Sequence, residues 1–133
     1  MLKKQESIIK NYFKENPGIT AVYLFGSFAD GREVKDSDID IAILLNHGEL
    51  SFKEKTRMTL DLNQLTGREI DLIDLKNVSS ILQMQVLKKG KCLFCTNENK
   101  LNQFKIKTVQ TYLDLKKVRK PIEDRLKDVT IYG

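Results

Sequence analysis

A chain of 133 residues, 41% of them hydrophobic and 31% charged, with only 2 prolines, is sized for one compact domain with a real core and is too apolar to stay disordered. The charges spread through MLKKQESIIKNYFKEN exclude an apolar signal segment, and no apolar run approaches the length that spans a bilayer. A cytoplasmic protein with no membrane partner is expected.

In chain order, residues 4–15 place Ile8, Ile9, Tyr12 and Phe13 at helical spacing, and Pro17-Gly18 ends that helix. ITAVYLF (19–25) is β-branched and aromatic, as a buried strand should be. GSFADGREVKDS (26–37) is a turn-rich connection, and DIDIAILL (38–45) alternates before becoming continuously apolar, as a strand entering a core does. Asn46-His47-Gly48 breaks it. Ser51 with Glu54 three residues on reads as a capping box, opening a helix that Gly67 stops. REIDLIDL (68–75) is a third strand, residues 79–89 a helix ending at Gly90, and KCLFCT a last short strand. From about Asn97 the chain reads as helix to Val129, with apolar Leu101, Phe104, Ile106, Val109, Tyr112, Leu113, Leu115 and Val118, and Pro121 is expected to break or kink it. The outline is α-β-β-α-β-α-β-α, an α/β (α+β) domain spanning 1–133.

Three features invite functional readings that the sequence supports weakly. Cys92 and Cys95 have zinc-like spacing, but His47 is the only histidine and no further cysteine exists, so a four-ligand site cannot be assembled. Strand alternation would send the two thiols to opposite faces, and buried, reduced cysteines are expected. His47 at a strand end reads as a loop residue. The net charge of +5 gathers late, in Lys100, Lys105, Lys107, Lys116, Lys117, Arg119, Lys120, Arg125 and Lys127. Such a tail suits nucleic acid, an acidic partner or nucleotide phosphates, although Asp114, Glu123, Asp124 and Asp128 dilute it toward a solvated helix face.

The strong signal lies in FGSFADGREVKDSDIDI (25–41). Residues two apart on a strand share a face, so Asp38 and Asp40 project together while Ile39, Ile41 and Ile43 point into the core. Gathered carboxylates repel unless a cation sits among them, and a pair on one face suits Mg²⁺ with phosphate oxygens and water completing its shell. Asp71, between Ile70 and Leu72 in the third strand, would be costly there if unpaired. Beside strand 38–45 it would complete a two-metal site. Asp74 reads as a surface or capping residue, and Asp36 as a turn residue. Gly26 lets backbone approach a phosphate, and the Ser27 hydroxyl and amide can donate to it. Together these are the equipment for a nucleoside triphosphate with magnesium.

Gly26-Ser27, ten residues, then Asp38-x-Asp40 resembles the GS-x10-DxD signature of minimal nucleotidyltransferases of the DNA polymerase β superfamily. VYLFGSFADG, SDIDIAILL and REIDLIDL resemble the flanking segments, and LKKGKCLF with the closing YLDLKKVRKPIEDRL resembles the MNT antitoxins of HEPN–MNT toxin–antitoxin pairs. The resemblance implies a polymerase-β-like fold, a small mixed sheet flanked by helices, with a mainly helical segment from about 97 to 130 packing on it or on a partner. It implies an adenylyltransferase that moves AMP from ATP to a tyrosine of a HEPN ribonuclease toxin and so neutralises it. Asp38 and Asp40 would ligate two Mg²⁺ ions and Asp71 the catalytic one. Gly26, Ser27 and Ser37 would contact the nucleotide, Gly26 and Ser27 at the β- and γ-phosphates. The sequence departs from many relatives at Asp30, where they carry a basic residue; Arg32 or Lys35 could substitute as the phosphate-facing cation, and the sequence places neither. Two other readings are an antitoxin that acts by binding alone, through the basic C-terminal helix, and a nucleotidyltransferase for a small molecule or an RNA end. Direct nucleic-acid binding is not expected.

Overall fold

A computed structural model describes residues 2–26 and 38–127, with the side chains of 3–26 and 38–117. The element order is α1 (Leu2–Lys14), β1 (Ile19–Phe25), β2 (Ile39–Leu45), α2 (Phe52–Thr66), β3 (Ile70–Asp74), a 3-10 turn (Leu75–Asn77), α3 (Ser80–Lys89), β4 (Lys91–Cys95) and α4 (Glu98–Lys127). Each helix and strand expected from periodicity is present, with ends moved by a residue or two. The punctuation works as the residue types dictate. Ser51 Oγ accepts from the Glu54 amide at 3.1 Å, and Gly67 closes α2 in the left-handed conformation, φ 70°.

The four strands form one mixed sheet in the order β3-β2-β1-β4. β1 runs antiparallel to both β2 and β4, whereas β2 and β3 are parallel, joined through α2 as parallel neighbours must be. Alternation splits the apolar residues into two layers. Val22, Leu24, Ile39, Ile41, Ile43 and Leu72 face α1 and α2, meeting Ile9, Phe13, Met58 and Leu62. Ala21, Tyr23, Ala42 and Leu44 face α3 and α4, meeting Val86 and Leu101. Both sides of the central strands are covered, so β1 and β2 read as nearly continuous apolar runs.

Several expectations need correction. α4 continues through Pro121 without a break; proline removes one amide donor, and that single loss does not end a helix of 30 residues. Its apolar residues divide: Leu101 and Phe104 join the core, while Ile106, Val109, Leu113 and Leu115 are exposed. The cysteines are free but not buried: Cys92 is exposed and Cys95 half-exposed. Nor do they face opposite ways. A register shift in β4 pairs Cys92 with Tyr23 and Cys95 with Ala21, two β1 residues of the same layer, because a bulge adds one residue to the alternation. Although Cys92 is exposed as a residue, partial desolvation of its thiol first, then the neighbouring Cys95 thiol, pushes its pKa up, the reverse of what a reactive thiolate needs.

Asp74 caps, as expected, but it lies buried rather than on the surface. Its Oδ2 accepts from the Leu50 amide and from Asn77 Nδ2, both at 2.9 Å, and its Oδ1 accepts from the Lys76 amide at 3.3 Å. One carboxylate thus ties the β2–α2 loop to the 3-10 turn. Asp74→Ala strands two backbone amides and is expected to cost about 2–3 kcal/mol, read as a lowered midpoint in urea unfolding.

Candidate active site

Two pairings put the carboxylates together. In the parallel ladder Asp40 stands opposite Asp71, and across the antiparallel one it stands opposite Phe25, the residue before Gly26. Asp40 and Asp71 share the α3/α4 side of the sheet, the side of Ala42 and Leu44, but they lie beyond the end that those helices cover. Asp40 is therefore only half-buried, and Asp71 is exposed. That corrects the expectation for Asp71: a position between two apolar strand residues is not an interior one where the covering layer stops short. Asp38 is exposed just ahead of β2.

Asp40 senses its two neighbours. Partial burial first, then the charges of Asp71 and Asp38, push the Asp40 pKa up to about 6, and Asp40 shares a hydrogen bond with Asp71. The cause is a surplus of negative charge at the edge of low-dielectric protein. Among the described residues, no three His, Cys, Asp or Glu side chains stand close enough to form a finished metal cage. The donor set nonetheless fits a hard divalent cation: it is all oxygen, it comes from adjacent backbone positions, and its negative charges act on one another.

The raised pKa has a thermodynamic consequence. An acid that holds its proton more tightly when folded than when unfolded favours the fold at low pH, and that contribution is lost as pH rises through the window from about 4 to about 6. Above it the metal-free protein carries a charge it would fold better without. Asp40→Asn is expected to raise the melting temperature of the EDTA-treated protein by a few degrees at pH 7, the gap to wild type closing below pH 4. The effect is modest because Asp40 is only half-buried and solvent screens its charge. Thermal scans at several pH values check this.

Gly26 seats Asp40. Its φ is +72°, a conformation that side-chain-bearing residues avoid, and a Cβ there would collide with Asp40 Oδ2. The sequence argues for this glycine from close approach to phosphate; the structure adds that the carboxylate occupies the space a methyl would fill. Ser27 and Ser37, expected at the nucleotide, lie outside the described residues, as do Asp30, Arg32, Lys35 and Asp36. His47 is an exposed loop residue, as expected.

Comparison with known proteins agrees with this geometry. Residues 7–99 match the family described as polymerase beta, nucleotidyltransferase. The chain is 33% identical over 125 residues to a protein adenylyltransferase, MntA, from Shewanella oneidensis, covering 90% of this chain and 85% of that protein. It superposes on a chain of a toxin–antitoxin crystal structure with AMP-PNP at a TM-score of 0.79 and 32% identity, covering 92% of this chain and 98% of that one. A tri-AMPylated HEPN toxin of Shewanella oneidensis in complex with its MNT antitoxin gives a TM-score of 0.76 at 29% identity, over 96% and 99% of the two chains. No helix among the described residues is long and apolar enough to cross a membrane.

Proposed function

The chain belongs to the polymerase β nucleotidyltransferase family, and from that premise we propose that it is an antitoxin that transfers AMP from ATP to a tyrosine of a cognate HEPN toxin. The observation that carries this reading is the pairing of Asp40 with Asp71 beside Asp38, seated on Gly26. The likeness to an adenylyltransferase, and to an antitoxin bound to an AMP-modified toxin, extends over nine-tenths of the chain or more.

Asp38, Asp40 and Asp71 would hold magnesium, which when bound neutralises phosphate charge and polarises the α-phosphorus. Asp40, half-buried on Gly26, is the fixed member; Asp38 and Asp71, both exposed, flank it where a triphosphate and an acceptor enter. Gly26 and Ser27 would contact the β- and γ-phosphates, and Ser37 the nucleotide. The tyrosine oxygen attacks the α-phosphorus in line, losing its proton, and the bond from that phosphorus to the bridging oxygen breaks, so pyrophosphate leaves and AMP stays on the tyrosine. The protein contributes positioning and charge stabilisation more than covalent chemistry.

The family match ends at residue 99, and α4 begins at Glu98. We take 1–133 as one nucleotidyltransferase domain whose last helix packs its first turns on the sheet and offers Ile106, Val109 and Leu113, exposed at helical spacing, to the toxin. Both proteins would work in the cytoplasm, on its ATP.

Incubating the chain with labelled ATP, magnesium and the small helical protein of the neighbouring reading frame tests the proposal. AMP is expected on a tyrosine of that partner, located by mass spectrometry. Transfer instead to an aminoglycoside or an RNA end would overturn the choice of acceptor.

A further inference from the structure

A concavity of about 620 Å³ lies on the α3/α4 face and falls within the roughly 300–1,000 Å³ span of small-ligand sites. It is remote from the carboxylates. Asp40 is the second residue of β2, and Leu44 and Leu45, which line the concavity, are its last two. Four residue steps along the strand, roughly 13 Å, separate Asp40 from Leu44.

Its lining carries charge of one sign. Lys76 comes from the 3-10 turn and Lys100 and Lys107 from α4, and no Asp or Glu is among the residues that line it. Ammonium groups gathered around one concavity repel each other, and an anion relieves that cost. Lys100 is half-buried, its Nζ donating to Asn46 O at 3.4 Å. Lys76 and Lys107 are exposed, and among the described residues neither has an ion-pair partner.

The floor is polar and held in place. Thr20 and Thr108 are 1% and 2% exposed. Thr20 Oγ1 donates to Asn46 Oδ1, and Thr108 Oγ1 donates to Gln83 Oε1 at 3.5 Å. Gln83 Nε2 in turn donates to Leu75 O at 2.9 Å. Val78 and Phe104 supply an apolar wall beside this floor. Cations at the rim, hydrogen-bonding groups below and one aromatic wall are the features that recognise a phosphate on an organic ring.

We propose that this concavity binds a phosphorylated small molecule of about mononucleotide size, its phosphate held by Lys76, Lys100 and Lys107 and its ring against Phe104 and Val78. The site stands apart from the carboxylates and needs no magnesium. AMP is the probe, titrated in EDTA into the full-length, isotope-labelled chain and followed by amide chemical shifts. Saturable shifts are expected at Asn46, His47, Lys76, Gln83, Lys107 and Thr108. Adenosine, which lacks the phosphate, is expected to bind far more weakly. Changing Lys76→Ala and Lys107→Ala together should weaken AMP by about tenfold or more, while the rest of the spectrum shows that the fold persists. Asp40→Asn should leave this binding unchanged. Shifts confined to Gly26, Asp38–Asp40 and Asp71, no saturable response, or equal binding of adenosine would each overturn the proposal.

Discussion

Replacing Asp38 and Asp40 together by alanine is expected to lower AMP transfer to the toxin by about 10³-fold or more, since a reaction that runs on metal-held charge loses several kcal/mol of stabilisation with its ligands. The fold should survive. Asp38 is exposed and Asp40 half-buried, and removing mutually repelling carboxylates relieves strain. The variant therefore separates two ways of neutralising a toxin. Intact-mass measurement of the co-expressed partner should show no added AMP, while co-purification shows whether the two proteins still bind. If cells making the toxin are fully protected by this variant, the catalytic account of neutralisation fails and binding alone suffices.

Gly26→Ala is expected to cut transfer by about 10²-fold, the scale of loss when a catalytic group is misplaced by about an ångström. It should also cost about 1–2 kcal/mol of stability, the penalty of a left-handed residue with a Cβ. Two causes act there. The backbone is held at φ +72°, and the new methyl collides with Asp40 Oδ2, so the carboxylate must move. Gly67→Ala is the control: φ is +70°, but nothing lies within 4 Å of the added carbon. It should destabilise to a similar degree and leave transfer per folded molecule intact. Equal activity loss in both variants would mean that backbone strain, not displacement of Asp40, disables the site.

The sequence made the elements legible because their signals are local. Ser51 and Gly67 cap α2 through bonds made within one turn, and the alternation in DIDIAILL follows from strand geometry alone. The same alternation failed for Cys92 and Cys95, since a bulge is a property of two paired strands. It misjudged Asp71, because whether a strand residue is buried depends on where the facing helices end. Asp74 showed its capping chemistry in sequence, but not the buried tie to Leu50, which is formed across 24 residues.

The sequence by itself therefore determined the family and nominated the candidate site residues: Gly26-Ser27, a spaced aspartate pair and a third aspartate in a later strand, each chosen by chemistry that depends on residue type and short spacing. Only the tertiary structure decided that Asp40 and Asp71 face each other across a parallel ladder, that Asp40 rests on Gly26, and that Lys76, Lys100 and Lys107 surround one concavity at the far end of the same sheet face. Those are distances between segments remote in the chain, and they are set by strand register and helix packing, which no local pattern encodes.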